Sequence, residues 1–203
     1  MKISIDISSD KVRIFGLDHP IFLERTGVDV ELGKVLVNLD KEKNLTEILV
    51  LNGPWGFTNL RVGCLALNLL KTLKKGQLSL FSLSKIELYQ HCYRRAWISR
   101  YGAIYIGQKS NVRLRDFEEN KLISPVKKDQ LSALSSEYEG LFVDQVYERD
   151  YFDEALPSLD YTFEQQGLSL HFKGETYHLP RADFAPQEVE MLHPNYMIEP
   201  NIS

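Results

Sequence analysis

Residues 52–63 read Asn-Gly-Pro-Trp-Gly-Phe-Thr-Asn-Leu-Arg-Val-Gly, and they connect a short apolar run to a long apolar helix. The run before them, residues 48–51, is continuously apolar, which is typical of a strand buried on both faces. A turn rich in glycine and proline between a strand and a helix is typical of a mixed α/β domain. We therefore predict an α/β fold in which this turn positions the following helix.

That helix is predicted over residues 58–75, with Thr58 as the residue that caps its N-terminus. Its apolar side chains cover nearly the whole circumference, which indicates burial on more than one side. One face must lie on a sheet, and the other needs a neighbouring helix or another chain. Gly63 and Ala66 are small enough to let a second helix approach closely. The pattern alone leaves a core helix and a subunit interface both open.

The first 96 residues predict a lobe with the element order βββαβαβα. Alternation of Ile3, Ile5 and Ile7 with polar residues predicts a half-buried strand, and two further strands follow near residues 12–15 and 21–23. A helix capped by Asp29 is predicted over residues 29–40. A strand near residues 78–81 and a helix near residues 84–93 complete the lobe. The helix of residues 29–40 is predicted from apolar residues at helical spacing: Val28, Leu32, Val35, Leu36 and Leu39.

Residues 97–203 predict a second, smaller lobe whose elements are less regular in sequence. Short strands are predicted at residues 97–100 and 103–106 around a turn at Gly102, and charged, loop-rich sequence follows over residues 113–128. A hairpin is predicted over residues 168–178 with its turn at Lys173-Gly174. A short helix is predicted over residues 182–192.

The composition excludes several classes of function. The 203 residues are 43% hydrophobic, which is enough to form a real core. The net charge of −4 argues against direct binding of nucleic acid, which needs a basic surface. No apolar run approaches the roughly 20 residues of a membrane span. Cys64 and Cys92 lie far apart in apolar sequence, which favours free thiols in a reducing compartment, so we expect a cytoplasmic protein.

The segment of residues 53–63 resembles the hallmark of the TsaB (YeaZ) family, Gly-Pro-Gly-Ser-Phe-Thr-Gly-Leu-Arg-(Ile/Val)-Gly. Members of that family are non-catalytic subunits of the bacterial machinery that makes threonylcarbamoyladenosine in tRNA. Residues 83–88, 99–105 and 194–200 are similar to further segments of the family. The chain resembles a divergent member, because it departs from the family pattern at five positions: Trp55, Gly56, Asn59, Leu65 and Leu69.

The resemblance implies an actin-like ATPase (ribonuclease H-like) fold with a degenerate second lobe. It implies a pseudoenzyme scaffold that heterodimerises with a TsaD-type catalytic subunit and is joined by a TsaE-type ATPase. The complex would support threonylcarbamoylation of the adenosine next to the anticodon. The implied partner interface comprises Leu32, Val35, Leu36, Leu39, Phe57, Leu60, Arg61, Val62, Gly63, Leu65, Ala66, Leu69 and Leu73. The implied motif turn comprises Gly53, Pro54, Trp55, Gly56 and Thr58.

The sequence offers no complete catalytic site. The first hairpin, residues 6–11, lacks the glycines with which active actin-like proteins hold nucleotide phosphates. Asp6 matches the position of the catalytic metal-binding aspartate of that superfamily, but a turn-capping role is favoured. No Walker, GxGxxG, GxSxG or HExxH motif occurs. We therefore expect no catalytic residue, no metal and no cofactor.

Two alternatives to the heterodimer stay open. The same apolar helix could be buried in a homodimer of this chain. In the other alternative, a small hydrolase or phosphotransferase would use Asp6 and the loop of residues 53–56 at the start of a helix. Neither nucleic acid nor a membrane is expected as a direct partner.

Overall fold

The computed structural model describes residues 1–54, 57–105, 111–144, 156–164, 167–184 and 186–196. These residues form a mixed α/β structure with two sheets. The first elements are β1 (Lys2–Asp6), β2 (Val12–Phe15), β3 (Ile21–Leu23), α1 (Val28–Lys43), β4 (Glu47–Leu51), α2 (Phe57–Leu73), β5 (Ser79–Leu83) and α3 (Lys85–Arg94). The later elements are β6 (Tyr101–Tyr105), β7 (Asn111–Asp116), β8 (Lys121–Lys127), α4 (Leu131–Leu134), β9 (Phe142–Asp144), β10 (Ser158–Glu164), β11 (Gly167–Phe172), β12 (Glu175–Pro180) and β13 (Gln187–Val189).

The described residues divide into two compact units. Unit 1 comprises the described residues within Met1–Lys85, Phe163–Gln165 and Ala185–Ser203. Unit 2 comprises the described residues within Ile86–Thr162 and Gln166–Phe184. The division differs from the predicted lobes of residues 1–96 and 97–203 for two reasons. Helix α3 belongs almost entirely to unit 2, and the chain returns to unit 1 as β13.

The sheet of unit 1 has the strand order β13-β5-β4-β1-β2-β3. Strands β1, β4 and β5 are parallel, whereas β2, β3 and β13 pair antiparallel with their neighbours. Parallel neighbours need a crossover, and α1 lies in the connection to β4 while α2 connects β4 to β5. The predicted order βββαβαβα is therefore confirmed from β1 to α3, and only β13 was missed in this sheet.

Strand β1 is buried on both faces, so the predicted half-buried strand is wrong. Ile3 and Ile5 are buried as expected, but Ser4 and Asp6 on the opposite face are buried too. Strand β1 lies inside the sheet, between β4 and β2, and other parts of the chain cover both of its faces. The polar residues of β1 thus mark an internal polar cluster and not a solvent-facing side.

Both long helices begin without the predicted caps. Helix α1 begins at Val28 after Gly27, whose φ of 85° is the left-handed conformation that glycine adopts without strain. Asp29 lies inside the first turn, where its charge suits the helix dipole. Helix α2 begins at Phe57, so Thr58 lies in its first turn and does not precede it.

The sheet of unit 2 has the strand order β12-β11-β10-β9-β6-β7-β8. The predicted hairpin is confirmed as β11 and β12, with Lys173 and Gly174 at positive φ in its turn. Two other predictions in this region are wrong. Residues 97–100 form no strand, and Gly102 lies inside β6 and not in a turn. The residues predicted as loop, 113–128, lie mostly in the hairpin of β7 and β8.

Gly102 is required by packing within unit 2. A Cβ atom there would lie 2.6 Å from the ring of Phe142. The helix predicted over residues 182–192 is also absent from the described part of that range. Arg181–Asp183 form a single 3₁₀ turn, and residues 187–189 pair with β5 as β13.

Among the described residues, no helix is both long and apolar enough to cross a membrane. Cys64 and Cys92 are buried free thiols, as the sequence predicts. Burial raises the pKa of Cys64 and that of Cys92 to about 12. Each cysteine therefore stays protonated near neutral pH and acts as a small core residue.

Candidate partner-binding surface

Helix α2 lies on the sheet of unit 1 through a face of small and apolar residues. Leu60, Cys64, Leu67 and Leu70 are buried on this face. A Cβ atom on Gly63 would lie 2.5 Å from Cγ2 of Ile7, the residue that follows β1. The helix can therefore sit this close to β1 only because residue 63 has no side chain.

The opposite face of α2 carries a row of exposed leucines, which we call the leucine row. Leu65, Leu69 and Leu73 are 71%, 57% and 65% exposed. Residues four apart lie one above another on a helix, so these three side chains form one continuous stripe. Arg61 starts the same stripe one turn earlier and is exposed as well. Large apolar side chains grouped in this way are typical of a surface that binds another protein.

The residues implied as the partner interface separate into buried and exposed groups. Leu32, Leu36, Leu60 and Gly63 are buried within unit 1, so they support the surface without forming part of it. Partly exposed positions are Val35, Leu39, Val62 and Ala66. The exposed positions are Arg61, Leu65, Leu69 and Leu73. The side chain of Phe57 lies outside the described part of the structure.

Helices α1 and α2 are held together at their C-terminal ends by an ion pair. Lys74, just beyond α2, places its Nζ 2.7 Å from Oδ1 of Asp40 on α1, and it also donates to Oδ1 of Asn44. Both charged side chains are largely shielded from solvent, which strengthens the pair relative to a fully exposed one. The ion pair therefore holds the C-terminal ends of the two helices beside each other.

The segment of residues 189–196, here called the C-terminal segment, is fixed alongside α2. The side-chain amide of Asn68 donates to the carbonyl of Leu192 at 2.9 Å and accepts from its N–H at 2.8 Å. Lys71 Nζ donates to the carbonyl of Val189, and Asn52 Nδ2 donates to that of His193. These polar residues interrupt the apolar pattern of the helix and the strand, and that interruption is the sequence signal for their role.

Gly53 of the motif turn is required by the same segment. A Cβ atom on it would lie 2.1 Å from the carbonyl oxygen of Asn195, and its φ of 74° favours glycine. Its own carbonyl accepts from the N–H of Lys85 at the start of α3. Pro54 follows within the described residues, whereas Trp55 and Gly56 lie outside them. The first glycine of the motif thus allows close passage of the chain, and no phosphate is needed to explain it.

A groove of about 560 Å³ runs between α2 and the C-terminal segment. Its helix side is formed by Thr58, Arg61, Val62, Cys64, Leu65 and Asn68, and its other side by Leu192, Pro194 and Tyr196. Burial raises the pKa of Tyr196, while the charge of Arg61 acts in the opposite direction. Arg61 and Tyr196 line the same groove. No acidic residue is found among these lining residues.

Asp6 is fully buried and ion-paired inside unit 1. Arg13 donates to its Oδ2 through Nε at 3.0 Å and Nη2 at 2.9 Å. The N–H and hydroxyl of Ser8 donate to Oδ1, and the hydroxyl of Ser9 donates to Oδ2. This is the turn-capping role predicted from the sequence. Arg13 is the additional partner, and it lies opposite Asp6 in the register of β1 and β2.

The protonation of Asp6 follows from these neighbours. Burial raises the pKa of the carboxyl, but the charges of Arg13 and Lys85 and the hydrogen bonds from Ser9 and Ser8 outweigh it. The net pKa of Asp6 lies below its ordinary value, so the group is an anion at neutral pH. A guanidinium thus occupies oxygens that a metal-binding aspartate would offer to a cation.

Within the described residues, no group of three or more His, Cys, Asp or Glu side chains could hold a metal ion. His171 and His178 of the β11–β12 hairpin each have a hydroxyl partner at hydrogen-bond distance, Thr176 and Ser169 respectively. Another buried polar pair, in unit 2, joins the hydroxyl of Tyr89 to Asp144 at 2.5 Å. None of these groups forms a recognisable catalytic arrangement in the part of the chain that is described.

No family model matches this chain, and no curated protein matches it. Among solved structures it is similar to YeaZ from Pseudomonas aeruginosa, with a TM-score of 0.36, 17% identity, and coverage of 62% of this chain and 66% of that one. It is also similar to a protein described as uncharacterized, with similarity to peptidase YeaZ from Pseudomonas aeruginosa. That likeness has a TM-score of 0.38, 16% identity, and coverage of 64% and 67%. The descriptions of both structures name YeaZ.

Proposed function

We propose that this chain is a TsaB-like scaffold that heterodimerises with a TsaD-type catalytic subunit. In this proposal the chain supports threonylcarbamoylation of tRNA without performing chemistry itself, and a TsaE-type ATPase joins the assembly. The proposal includes an actin-like fold for unit 1, supported by its strand order β3-β2-β1-β4-β5 with β2 antiparallel to β1. It also places the complex in the cytoplasm, where tRNA is modified.

The observation that carries the proposal is the leucine row on α2. Three leucines that are each more than half exposed, one turn apart, keep apolar surface in contact with water, and this unfavourable exposure is removed when another surface covers them. A stable complex buries about 800 Å² on each partner. The leucine row is too narrow for that area alone, so the contact would extend to the exposed residues of α1, which the Lys74–Asp40 ion pair holds beside α2.

The state of Asp6 supports the absence of catalysis in the proposal. An aspartate that binds Mg²⁺ needs free oxygens, but both oxygens of Asp6 already accept hydrogen bonds. Displacing Arg13 would leave its partly buried guanidinium without a counter-ion, which is costly. The chain would therefore depend on a partner for nucleotide, metal and tRNA.

The test is a reconstitution with tRNA, an activated threonylcarbamoyl donor, and the TsaD-type and TsaE-type proteins encoded in the same genome. We expect threonylcarbamoyladenosine to form in tRNA only when this chain is added to the catalytic subunit, measured by mass spectrometry of the digested nucleosides. Equal formation without the chain would contradict the proposal. Calorimetry of the isolated chain with MgATP tests the enzyme alternative, and micromolar binding would support that alternative instead.

A homodimer is the second candidate, because the leucine row would serve equally to bind another copy of the chain. Light scattering with and without the TsaD-type subunit distinguishes the two. A dimer that persists when the subunit is present in excess would favour self-association as the function.

A further inference from the structure

The groove between α2 and the C-terminal segment adds a charged element to the apolar surface. Most of its lining residues are apolar or aromatic: Val62, Cys64, Leu65, Leu192, Pro194 and Tyr196. Arg61 stands in this lining, exposed, at the end of the stripe that the leucine row continues. No described carboxylate forms an ion pair with Arg61. The surface therefore combines a long apolar stripe with the cation of Arg61 at its N-terminal end.

We propose that the groove receives a carboxylate from a helix of the partner subunit, and that Arg61 selects it. This inference rests on the proposed function, since it names what the partner must carry. A guanidinium covered by a partner loses its hydration, and that loss is compensated only by an opposite charge with good geometry. Arginine forms two parallel hydrogen bonds with a carboxylate, which fixes direction as well as charge.

The shape of the surface indicates a helix as the occupant. The leucine row advances one turn at a time over residues 65–73, and such a stripe is matched by the apolar face of another helix. The carboxylate would extend from one end of that helix into the groove beside Arg61. The C-terminal segment forms the second wall, and its fixation by Asn52, Asn68 and Lys71 keeps the groove open before the partner arrives.

The test uses the full-length chain and the TsaD-type subunit of the same genome, with affinity measured by titration calorimetry. Arg61→Glu should raise Kd at least 30-fold, and Arg61→Gln should raise it less while flattening the dependence of Kd on salt. Arg94→Glu is the matched control, because Arg94 is also exposed but lies in unit 2. It should leave Kd within about twofold of the wild-type value.

Charge reversal in the partner completes the test. Exposed Asp and Glu residues of the TsaD-type subunit are changed to Lys one at a time, and one change should restore binding of Arg61→Glu at least tenfold. Two results would overturn the role of Arg61 but leave the proposed function standing. In one, the wild-type chain binds the subunit and Arg61→Glu binds it with the same affinity. In the other, Arg61→Glu loses affinity and no charge reversal in the partner restores it. Failure of the wild-type chain to bind the subunit at all would overturn both.

Discussion

At the scale of single residues, Asp6 shows how one carboxyl can match a catalytic position and still be structural. Serines two and three positions later identify it as a turn-capping residue from sequence alone. Its main counter-charge, Arg13, could not be found in this way, because it depends on the register of β1 against β2. The burial of Lys85 nearby depends on where β5 ends beside β4, which is equally non-local.

We predict that Asp6→Asn lowers the free energy of unfolding by about 3 kcal/mol at pH 7. The reason is that Arg13 and Lys85 would keep their charges in a shielded site without the anion. Urea unfolding followed by circular dichroism measures the change. Asp18→Asn is the control, since Asp18 is exposed and its loss should cost less than about 0.5 kcal/mol.

The difference in the free energy of unfolding between wild type and Asp6→Asn should change with pH in one direction. The folded-state pKa of Asp6 is depressed, so its contribution is fully present above the ordinary value of 3.8 and is lost as pH falls through the folded pKa. The gap in stability between wild type and Asp6→Asn should therefore be constant from pH 7 to about pH 5 and shrink below pH 3.8. A gap that widens on acidification would contradict the ion-pair assignment.

At the scale of elements, α2 has one face that packs on the sheet and an opposite face that is exposed. The sequence shows an apolar circumference but does not say which side meets the sheet. Gly63 decides which face meets the sheet, because a helix can approach Ile7 this closely only at a residue without a side chain. The same glycine was expected to let a second helix come close, and the structure places it against Ile7, the residue that follows β1.

We predict that Gly63→Ala destabilises the protein by about 1–3 kcal/mol, although alanine is the better helix former. The added Cβ would meet Cγ2 of Ile7 at 2.5 Å, and the helix would have to move. Gly33→Ala in α1 is the matched control, since nothing lies within 4 Å of its added Cβ. The free energy of unfolding of that variant should rise by roughly 0.5–1 kcal/mol. Equal effects of the two substitutions in urea unfolding would show that α2 is not seated on β1 as described.

The elements of unit 1 were predictable because their apolar periods are regular and their turns contain glycine and proline. Strands β7 and β8 were missed because charged residues occupy them. Asp116 at the end of β7 pairs with Arg100 at 2.7 Å, so its charge is satisfied within the chain and does not indicate a loop. Strand β13 was missed because it has three residues and depends on pairing with β5.

At the scale of the whole molecule, the candidate surface depends on parts of the chain that are far apart in sequence. The exposed leucines come from α2, and the second wall of the groove comes from residues more than a hundred positions later. The motif of residues 53–63 indicated which helix carries the surface. It could not indicate the wall, since that depends on the return of the chain as β13 and on the hydrogen bonds of Asn68.

The most direct measurement is a calorimetric titration of this chain with the TsaD-type subunit of the same genome, comparing wild type with Leu69→Glu. Leu69 is exposed, so the substitution should leave folding intact, whereas a charge at the centre of the leucine row should raise Kd about 30-fold or more, which is about 2 kcal/mol. Leu122→Glu, at an exposed leucine of β8 in unit 2, is the control and should bind like wild type. Unchanged affinity of Leu69→Glu, or equal losses in both variants, would contradict the assignment of α2 as the partner-binding surface.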